Sequence, residues 1–316
     1  MQIFHLKYPI KDTEKLGPVV LALGFFDGVH KGHQEIINTA RRQADKLHLS
    51  LMVMTFEQHP KEVCAQDKYF PYIDENSEKA AKMEKLGVDY LLFLNFDEKL
   101  RQLRPIQFVE EVLELLKPKV IVTGFDYTFG YKALGTTFQL RELGLGKYDV
   151  ITVAKKTYED RKISSTRIRL LVQNGQMEEA SELLGENYSI SGTVVHGLRN
   201  GHKLGYPTLN LSWNQKKLLP KIGVYATLIK YNGKTYQAMT SIGSNPTVTD
   251  KKTLFIESYL FDFDEDIYGE EITVEFLHFM RGQIKFSSLD GLKERLKLDE
   301  VEIKNYFSEV ESKQNI

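Results

Sequence analysis

Up to about residue 186, short apolar runs alternate with longer stretches whose apolar positions recur every three or four residues. The runs are Val19–Gly24, Leu51–Phe56, Tyr90–Phe96, Val120–Gly124 and Val150–Ala154. Apolar runs of this length between polar segments predict buried strands. The intervening stretches, Gln34–Leu47, Glu78–Leu86, Ile106–Leu116 and Thr137–Leu143, have helical spacing, and Pro105 suits the first turn of the third. Strands alternating with helices predict an α/β fold with a doubly wound parallel sheet and helices on both faces. Ligands of such sheets bind beyond the carboxyl ends of the strands. His30, the segment Thr55-Phe56-Glu57 and Asp126 all follow strand ends, so they are expected to converge on one cleft.

The pattern then changes. Short β-like runs occupy Ser191–Val195, Gly223–Tyr231, Lys234–Ser241, Leu254–Phe261 and Ile272–Phe279, separated by turn signals such as Asn232-Gly233. This predicts a C-terminal antiparallel β-barrel. A helical stretch from about Leu289 to Val310 follows it. The segment Ser164 to about Leu184 is helical but carries Asn174-Gly175, where it is expected to break. The boundary falls near residues 183–188, giving domains 1–185 and 186–316.

A length of 316 residues agrees with two cores. The formal net charge of −1 gives no electrostatic reason to expect nucleic acid or an anionic membrane as partner. The single cysteine, Cys64, excludes a disulfide framework and is expected to be inert. The N-terminal residues lack a basic region followed by a long apolar core, and no run of about 18 apolar residues occurs. A cytoplasmic protein is the expectation.

The chemistry concentrates at Gly24-Phe25-Phe26-Asp27-Gly28-Val29-His30-Lys31-Gly32-His33. Two histidines three residues apart sit where a buried strand turns into a helix. Helix N-termini present unpaired N–H groups and a positive dipole end, imidazoles add donors, and glycines allow close backbone approach. The stretch is not a P-loop, because no G-x-x-x-x-G-K-[ST] is present. It resembles the H-x-G-H signature of the nucleotidyltransferase superfamily. A second segment, Ile163-Ser164-Ser165-Thr166-Arg167-Ile168-Arg169, opens a helix with hydroxyls and arginines suited to phosphate. Taken alone it reads first as a capped helix with surface arginines; beside the H-x-G-H segment the phosphate reading is preferred.

With Thr55-Phe56-Glu57-Gln58-His59-Pro60 and Gly124-Phe125-Asp126-Tyr127-Thr128-Phe129-Gly130 between them, these motifs follow the order found in bacterial bifunctional riboflavin kinase/FMN adenylyltransferases. The barrel half resembles the same family. Gly192-Thr193-Val194-Val195-His196-Gly197 and Gly201-His202-Lys203-Leu204-Gly205-Tyr206-Pro207-Thr208-Leu209-Asn210 match its kinase module, including Pro-Thr-x-Asn. Further matches are Ile242–Thr247, Glu257 within an apolar strand, and Arg281 with Lys285-Phe286.

The resemblance implies that the first domain joins FMN and ATP into FAD and pyrophosphate. It implies that the second phosphorylates riboflavin to FMN, leaving ADP. It assigns His30, His33 and Arg169 to adenylyl transfer, with Gly24, Phe26, Gly28, Gly32, Ser165 and Thr166 around the phosphates. Phe56, Phe125 and Asp126 fall at the flavin and nucleotide ends. Asp27 is read as ordering the turn, with metal contact the alternative. In the kinase, Gly201, Lys203, Gly205 and Thr208 would hold ATP, Thr208 and Asn210 a magnesium ion, and Arg281 and Phe286 the flavin. Glu257 would be general base for the riboflavin 5′-hydroxyl. ATP is the expected co-substrate, and Mg2+ is expected to bind tightly only with nucleotide phosphates. The chain departs from the family at Gln58 (often proline), Thr128 (often basic), His202 (often arginine) and Gln283 (usually acidic). An adenylyltransferase whose barrel is a weakened kinase or only binds flavin stays open at this level.

Overall fold

A computed structural model describes residues 1–11, 17–64, 70–197, 206–245, 253–286 and 288–314. The chain divides into two compact units, Met1–Ser165 and Thr166–Ile316.

The first unit is built on a six-stranded sheet. Its strands are β1 (Gln2–Leu6), β2 (Val19–Leu23), β3 (Ser50–Phe56), β4 (Tyr90–Leu94), β5 (Pro118–Gly124) and β6 (Asp149–Val153). The order is β1-β4-β3-β2-β5-β6, and every neighbouring pair is parallel. The chain winds one way from β2 through β3 to β4, then returns to the other side of β2 for β5 and β6. The topological switch therefore lies at β2, where a doubly wound sheet opens its ligand crevice.

The apolar run at β2 is continuous because both its faces are covered. Val19, Leu21 and Leu23 enter one core with Met54, Leu92 and Leu113. Val20 and Ala22 enter another with Ile37, Ala40 and Ala44 of helix α1 (Lys31–Leu47). Helix α2 (Asn76–Lys85) adds Met83 to that second core.

Two features of this unit differ from the sequence expectation. Strand β1 carries no apolar run, because it pairs only at the sheet edge and is mostly exposed. The expected helix 106–116 is an α-turn (Pro105–Phe108), a π-turn (Val109–Leu113) and a 3-10 turn (Glu114–Leu116) in succession. The buried residues Phe108, Val109, Val112, Leu113 and Leu116 all join the first core, a packing demand that periodicity alone does not express.

Helix α3 (Ser165–Asn174) opens at the unit boundary and is followed by α4 (Met177–Leu184). They break at Gly175, whose φ is +78°, as Asn174-Gly175 predicts. Past Ser165 both helices lie in the second unit, where α4 packs on the barrel and Glu178 pairs with His278.

The barrel is closed, with strands β7 (Tyr188–Val195), β8 (Leu209–Trp213), β9 (Gly223–Tyr231), β10 (Lys234–Asn245), β11 (Thr253–Leu260) and β12 (Glu271–Arg281). Their order is β7-β8-β11-β10-β9-β12, antiparallel throughout. Asn232 and Gly233 both take positive φ in the β9–β10 turn, as a tight hairpin requires. Strand β8 is the one the pattern misses. Its sequence, Leu-Asn-Leu-Ser-Trp, alternates, but it follows a long glycine-containing segment.

Side chains alternate along each barrel strand. Val224, Ala226, Met239 and Tyr259 fall on the outer face, where helix α5 (Leu289–Gln314) covers them with Ile303 and Phe307. Thr227, Thr240 and Ser258 fall inside and join hydroxyls in a buried chain of 2.7 and 2.8 Å bonds. No helix among the described residues is long and apolar enough to cross a membrane.

Ile303 is fully buried beneath the barrel wall. Ile303→Ala is expected to cost about 2–5 kcal/mol, the range for a truncated core aliphatic. Trp213, the single tryptophan, lies in β8, so its fluorescence during urea unfolding reads the second unit.

Candidate active sites

The first site forms where β2 ends. Between Leu23 and Lys31 the chain must reverse from strand to helix, and it does so through positive φ at Phe26 (55°), Gly28 (83°) and Val29 (37°). A β-branched residue at positive φ is strained, so surrounding contacts hold the turn. Asp27 supplies them from a buried position. Its Oδ1 accepts the Ile73 and Asp74 backbone N–H groups at 3.0 and 3.3 Å. Its carbonyl accepts the Ser165 hydroxyl at 2.9 Å. Gly24 is required for a different reason: a Cβ there would stand 2.8 Å from the Phe26 ring, which folds back against it.

His30 is the N-cap of α1, and its Nδ1 accepts the His33 backbone N–H at 3.2 Å. The two imidazoles stack with centroids 3.6 Å apart. Phe26, fully buried, packs edge-on to His33 at 5.3 Å. It is therefore a support for the histidine and not a phosphate ligand through its own side chain. Burial lowers His30 to about 4, with Lys162 pushing the same way and Asp126 and Asp74 opposing. Burial and then the neighbouring His30 hold His33 well below the usual histidine range. Both rings are neutral near pH 7, and among the described residues the buried His33 Nδ1 has no hydrogen-bond partner.

Of the other expected residues, Gly28 and Gly32 lie in the turn and first helical turn, and a Cβ on Gly32 would press on the His30 ring at 3.1 Å. Ser165 is joined to the turn through Asp27, while Thr166 is exposed in the first turn of α3. Arg169 lies one turn further along α3, past the unit boundary. Phe125 is 43% exposed, with the Lys162 ammonium 4.7 Å from its ring centroid. Asp126 is ion-paired with Lys162. Phe56 ends β3 and packs on Phe96 at 5.0 Å.

Sequence reading missed an aromatic cluster beside the turn: Phe25 against His59 at 4.5 Å, and His59 stacked on Phe70 at 4.0 Å. Tyr72 donates to Glu62 and accepts the His59 backbone N–H at 2.9 Å. No spacing rule joins positions 25, 59, 70 and 72; the loops bring them together.

The second site lies on the outer face of the barrel. Asn210 and Glu257 are direct partners across β8 and β11, so both side chains emerge on the same face. Thr208, two residues before Asn210, shares that face. Gly197 makes room for Asn210, whose amide nitrogen would lie 2.1 Å from a Cβ there. Glu257 lines a cavity of about 270 Å³ with Thr208, Tyr206, Met239, Phe255 and Tyr259. Arg281, Gln283 and Phe286 close it on one side, Leu292 and Leu296 of α5 on another. Burial alone raises the Glu257 carboxyl above its usual value of 4.5.

Arg281 is not free to move. Its Nε and Nη2 both donate to the fully buried carboxylate of Asp299, which Arg295 also engages at 2.8 Å. The guanidinium is thus a fixed wall of the cavity.

A second cavity, about 330 Å³, opens on the other side of Thr208. Pro207, Leu209 and the segment Phe263–Tyr268 line it, and Tyr268 packs on His196 at 3.8 Å. The segment 263–268 is another element that sequence reading did not single out. Thr208 is the residue common to both cavities. Gly201, Lys203 and Gly205, expected at the nucleotide, and the departure His202 lie outside the described residues, as do Pro246 and Thr247. Among the described residues no group of three or more His, Cys, Asp or Glu could hold a metal ion. The neutral oxygens of Thr208 and Asn210, with the Glu257 carboxylate across the ladder, are hard donors of the kind magnesium accepts.

A family model described as FAD synthetase matches residues 12–167, and one described as riboflavin kinase matches residues 184–307. The chain is 40% identical to the bifunctional riboflavin kinase/FMN adenylyltransferase of Listeria monocytogenes, over 98% of this chain and 100% of that protein. It is 38% identical to the Bacillus subtilis protein of the same name, over 98% and 99%. A solved structure described as a macrolide-efflux protein from Streptococcus pneumoniae shares the fold with a TM-score of 0.85 at 37% identity, covering 95% of this chain and 99% of that one. With both halves matched in order and nearly the full length aligned, the chain belongs to the bifunctional riboflavin kinase/FMN adenylyltransferase family.

Proposed function

We propose that this protein makes FMN from riboflavin and ATP at the barrel site, and FAD from FMN and ATP at the first site. The functional division is 1–185 for adenylyl transfer and 186–316 for the kinase. ADP leaves the second site and pyrophosphate the first. Riboflavin, FMN, FAD and ATP are its small-molecule partners, a formal net charge of −1 gives no electrostatic reason to expect nucleic acid, and its place of action is the cytoplasm.

The observation that carries the adenylyltransferase reading is the stacked His30–His33 pair at the start of α1, desolvated and neutral. FMN's phosphate is already an anion and needs no base to attack the α-phosphorus. The site must align two anions and offset the charge that accumulates on the bridging and leaving oxygens. Neutral imidazoles bind the ground state weakly as cations would not. Their proton affinity rises as negative charge builds beside them, so they stabilise the transition state more than the substrate. Ser165, Thr166 and Arg169 hold the outer phosphates. Phe125, Asp126 and Phe56 stand on the flavin and nucleotide side, joined there by the aromatic cluster of Phe25, His59, Phe70 and Tyr72.

The kinase needs what the first site does not, a base, because riboflavin presents an alcohol. Glu257 meets the requirement: it lines the apolar cavity, and burial raises its proton affinity. The cavity's aromatic and aliphatic walls suit a flat isoalloxazine. The nucleotide enters from the other side of Thr208, so Thr208 stands between donor and acceptor. Thr208 and Asn210 would hold magnesium, which when bound offsets phosphate charge. Glu257 takes the 5′-hydroxyl proton as the oxygen attacks the γ-phosphorus. Arg281 and Phe286 keep the ring seated.

Incubating the protein with riboflavin, ATP and Mg2+ is expected to yield FMN and then FAD by chromatography; a chain that makes FAD only from added FMN would limit it to the adenylyltransferase. Glu257→Gln should abolish riboflavin phosphorylation and leave FMN-to-FAD conversion intact. Equal loss of both activities in the folded variant would contradict two separate sites. In the unaltered protein, the acid limb of the kinase pH profile should lie above the ordinary carboxylate value of 4.5, since the base works only when ionised and burial raises its pKa. The FMN-to-FAD profile should lack that limb.

His33→Ala should slow FAD formation about 10²-fold or more, the scale for losing a positioned donor to a developing oxyanion. ATP binding, measured by calorimetry, should weaken far less. A variant with normal turnover and poor ATP affinity would make His33 a ground-state ligand.

A further inference from the structure

Lys79 is a lysine with none of its surface exposed, and nothing in its sequence context marks it. It lies in the first turn of α2, beneath the turn that follows β2. Its ammonium donates to the Phe25 carbonyl at 3.0 Å and stands 4.3 Å from the centroid of the Phe25 ring. Phe25 immediately precedes the strained Phe26–Val29 stretch, and its ring packs on His59.

The hydrogen bond alone does not account for a buried cation here. The Phe25 carbonyl already accepts the Thr55 hydroxyl at 2.8 Å. Among the described residues Lys79 forms no ion pair. The two carboxylates that act on it electrostatically are committed elsewhere: Asp27 to the Ile73 and Asp74 N–H groups, and Asp74 to Lys82 at 2.7 Å. Burying a charge without a tight partner is expensive, and an apolar side chain of similar length would fill the same space more cheaply. The charge is also felt at the cradle, since it acts on His33. Burial lowers Lys79 to about 8, with Asp27 and Asp74 opposing, which leaves most molecules charged at neutral pH.

We propose that Lys79 is a positioning residue for adenylyl transfer: its ammonium anchors the Phe25 peptide under the His30–His33 turn and places a fixed positive charge beneath the bound phosphates. The inference rests on the first unit being the adenylyltransferase. Lys79 touches no substrate and acts through the turn and through space. Its benefit is largest when negative charge accumulates on the phosphates, so its loss should fall on turnover more than on binding.

Lys79→Met and Lys79→Gln test this in the full-length protein. Methionine keeps the length and removes charge and donor; glutamine keeps an amide donor and removes only the charge. In each, kcat for FAD formation from FMN and ATP is expected to fall about 10- to 100-fold while KM for ATP changes less than about threefold. Riboflavin phosphorylation in the same samples should be unchanged. Thr55→Val, which removes the other donor to the same carbonyl but no charge, should slow FAD formation less than about threefold. Normal kcat in either folded Lys79 variant overturns the proposal. So does a kcat loss matched by an equal rise in KM, or a Thr55→Val defect as large as that of Lys79→Met. Proteolysis of residues 1–165 in both lysine variants, with kinase activity retained, would make Lys79 a determinant of folding and likewise overturn it. His33→Ala run alongside separates the two levels. If that variant also turns over normally, the assignment of the site fails and not merely the role of Lys79.

Discussion

The carboxylate of Asp27 is what the first unit's chemistry depends on. It lies buried in a turn of positive φ values, where the backbone would not stay without external support. Through side chain and carbonyl it ties together segments at positions 27, 73–74 and 165, which are far apart in the chain. Those bonds orient His30 as N-cap of α1, and the cap sets the stacking of His33. The doubly wound sheet contributes the place, because its switch point lies at β2. The geometry within that place follows from one buried acid satisfying two buried backbone donors, bonds with which water hardly competes.

The two halves solve opposite protonation problems with the same tool, desolvation. Burial keeps two histidines neutral in one unit and raises a glutamate's proton affinity in the other. In each case water exclusion shifts the group toward its uncharged form: the histidines lose affinity for a proton and the glutamate gains it. The charges that are needed permanently are treated differently. Arg281 is locked by the buried Asp299, with Arg295 completing the cluster, and so has no freedom to follow the ligand.

Much of this was legible in the residues. The parallel sheet followed from five apolar runs, the barrel from its turn signals, and the break at Gly175 from Asn174-Gly175. The H-x-G-H pair and the Thr208–Asn210 pair stood out because each depends on short spacing or on strand alternation, whereas Glu257 stood out only through the family resemblance and meets Asn210 across a ladder between distant segments. What escaped depends on distance in sequence. Strand β1 is a mostly exposed edge whose apolar residues form no continuous run, and helix 106–116 changes winding to satisfy one core. The packing of the Phe26 ring against His33 likewise could not be read from its place in the motif. Lys79, the Phe70–Tyr72 aromatics and the 263–268 segment gain their meaning from tertiary neighbours, and a lysine or an acidic loop reads as solvated surface until those neighbours are known.

The pairing of Asn210 with Glu257 across the barrel ladder has a consequence for how such an enzyme can change. Opposed residues on adjacent antiparallel strands sit about 5 Å apart at their Cα atoms, and the backbone bonds around them hardly stretch. Asn210 and Glu257 therefore belong to the least deformable part of the domain, whereas residues 263–268 that line the other cavity belong to a connection between strands. Drift or engineering can remodel those connections, altering the shape of that cavity, without disturbing the spacing of the pair on the ladder. Preference and reactivity are inherited on separate pieces of backbone.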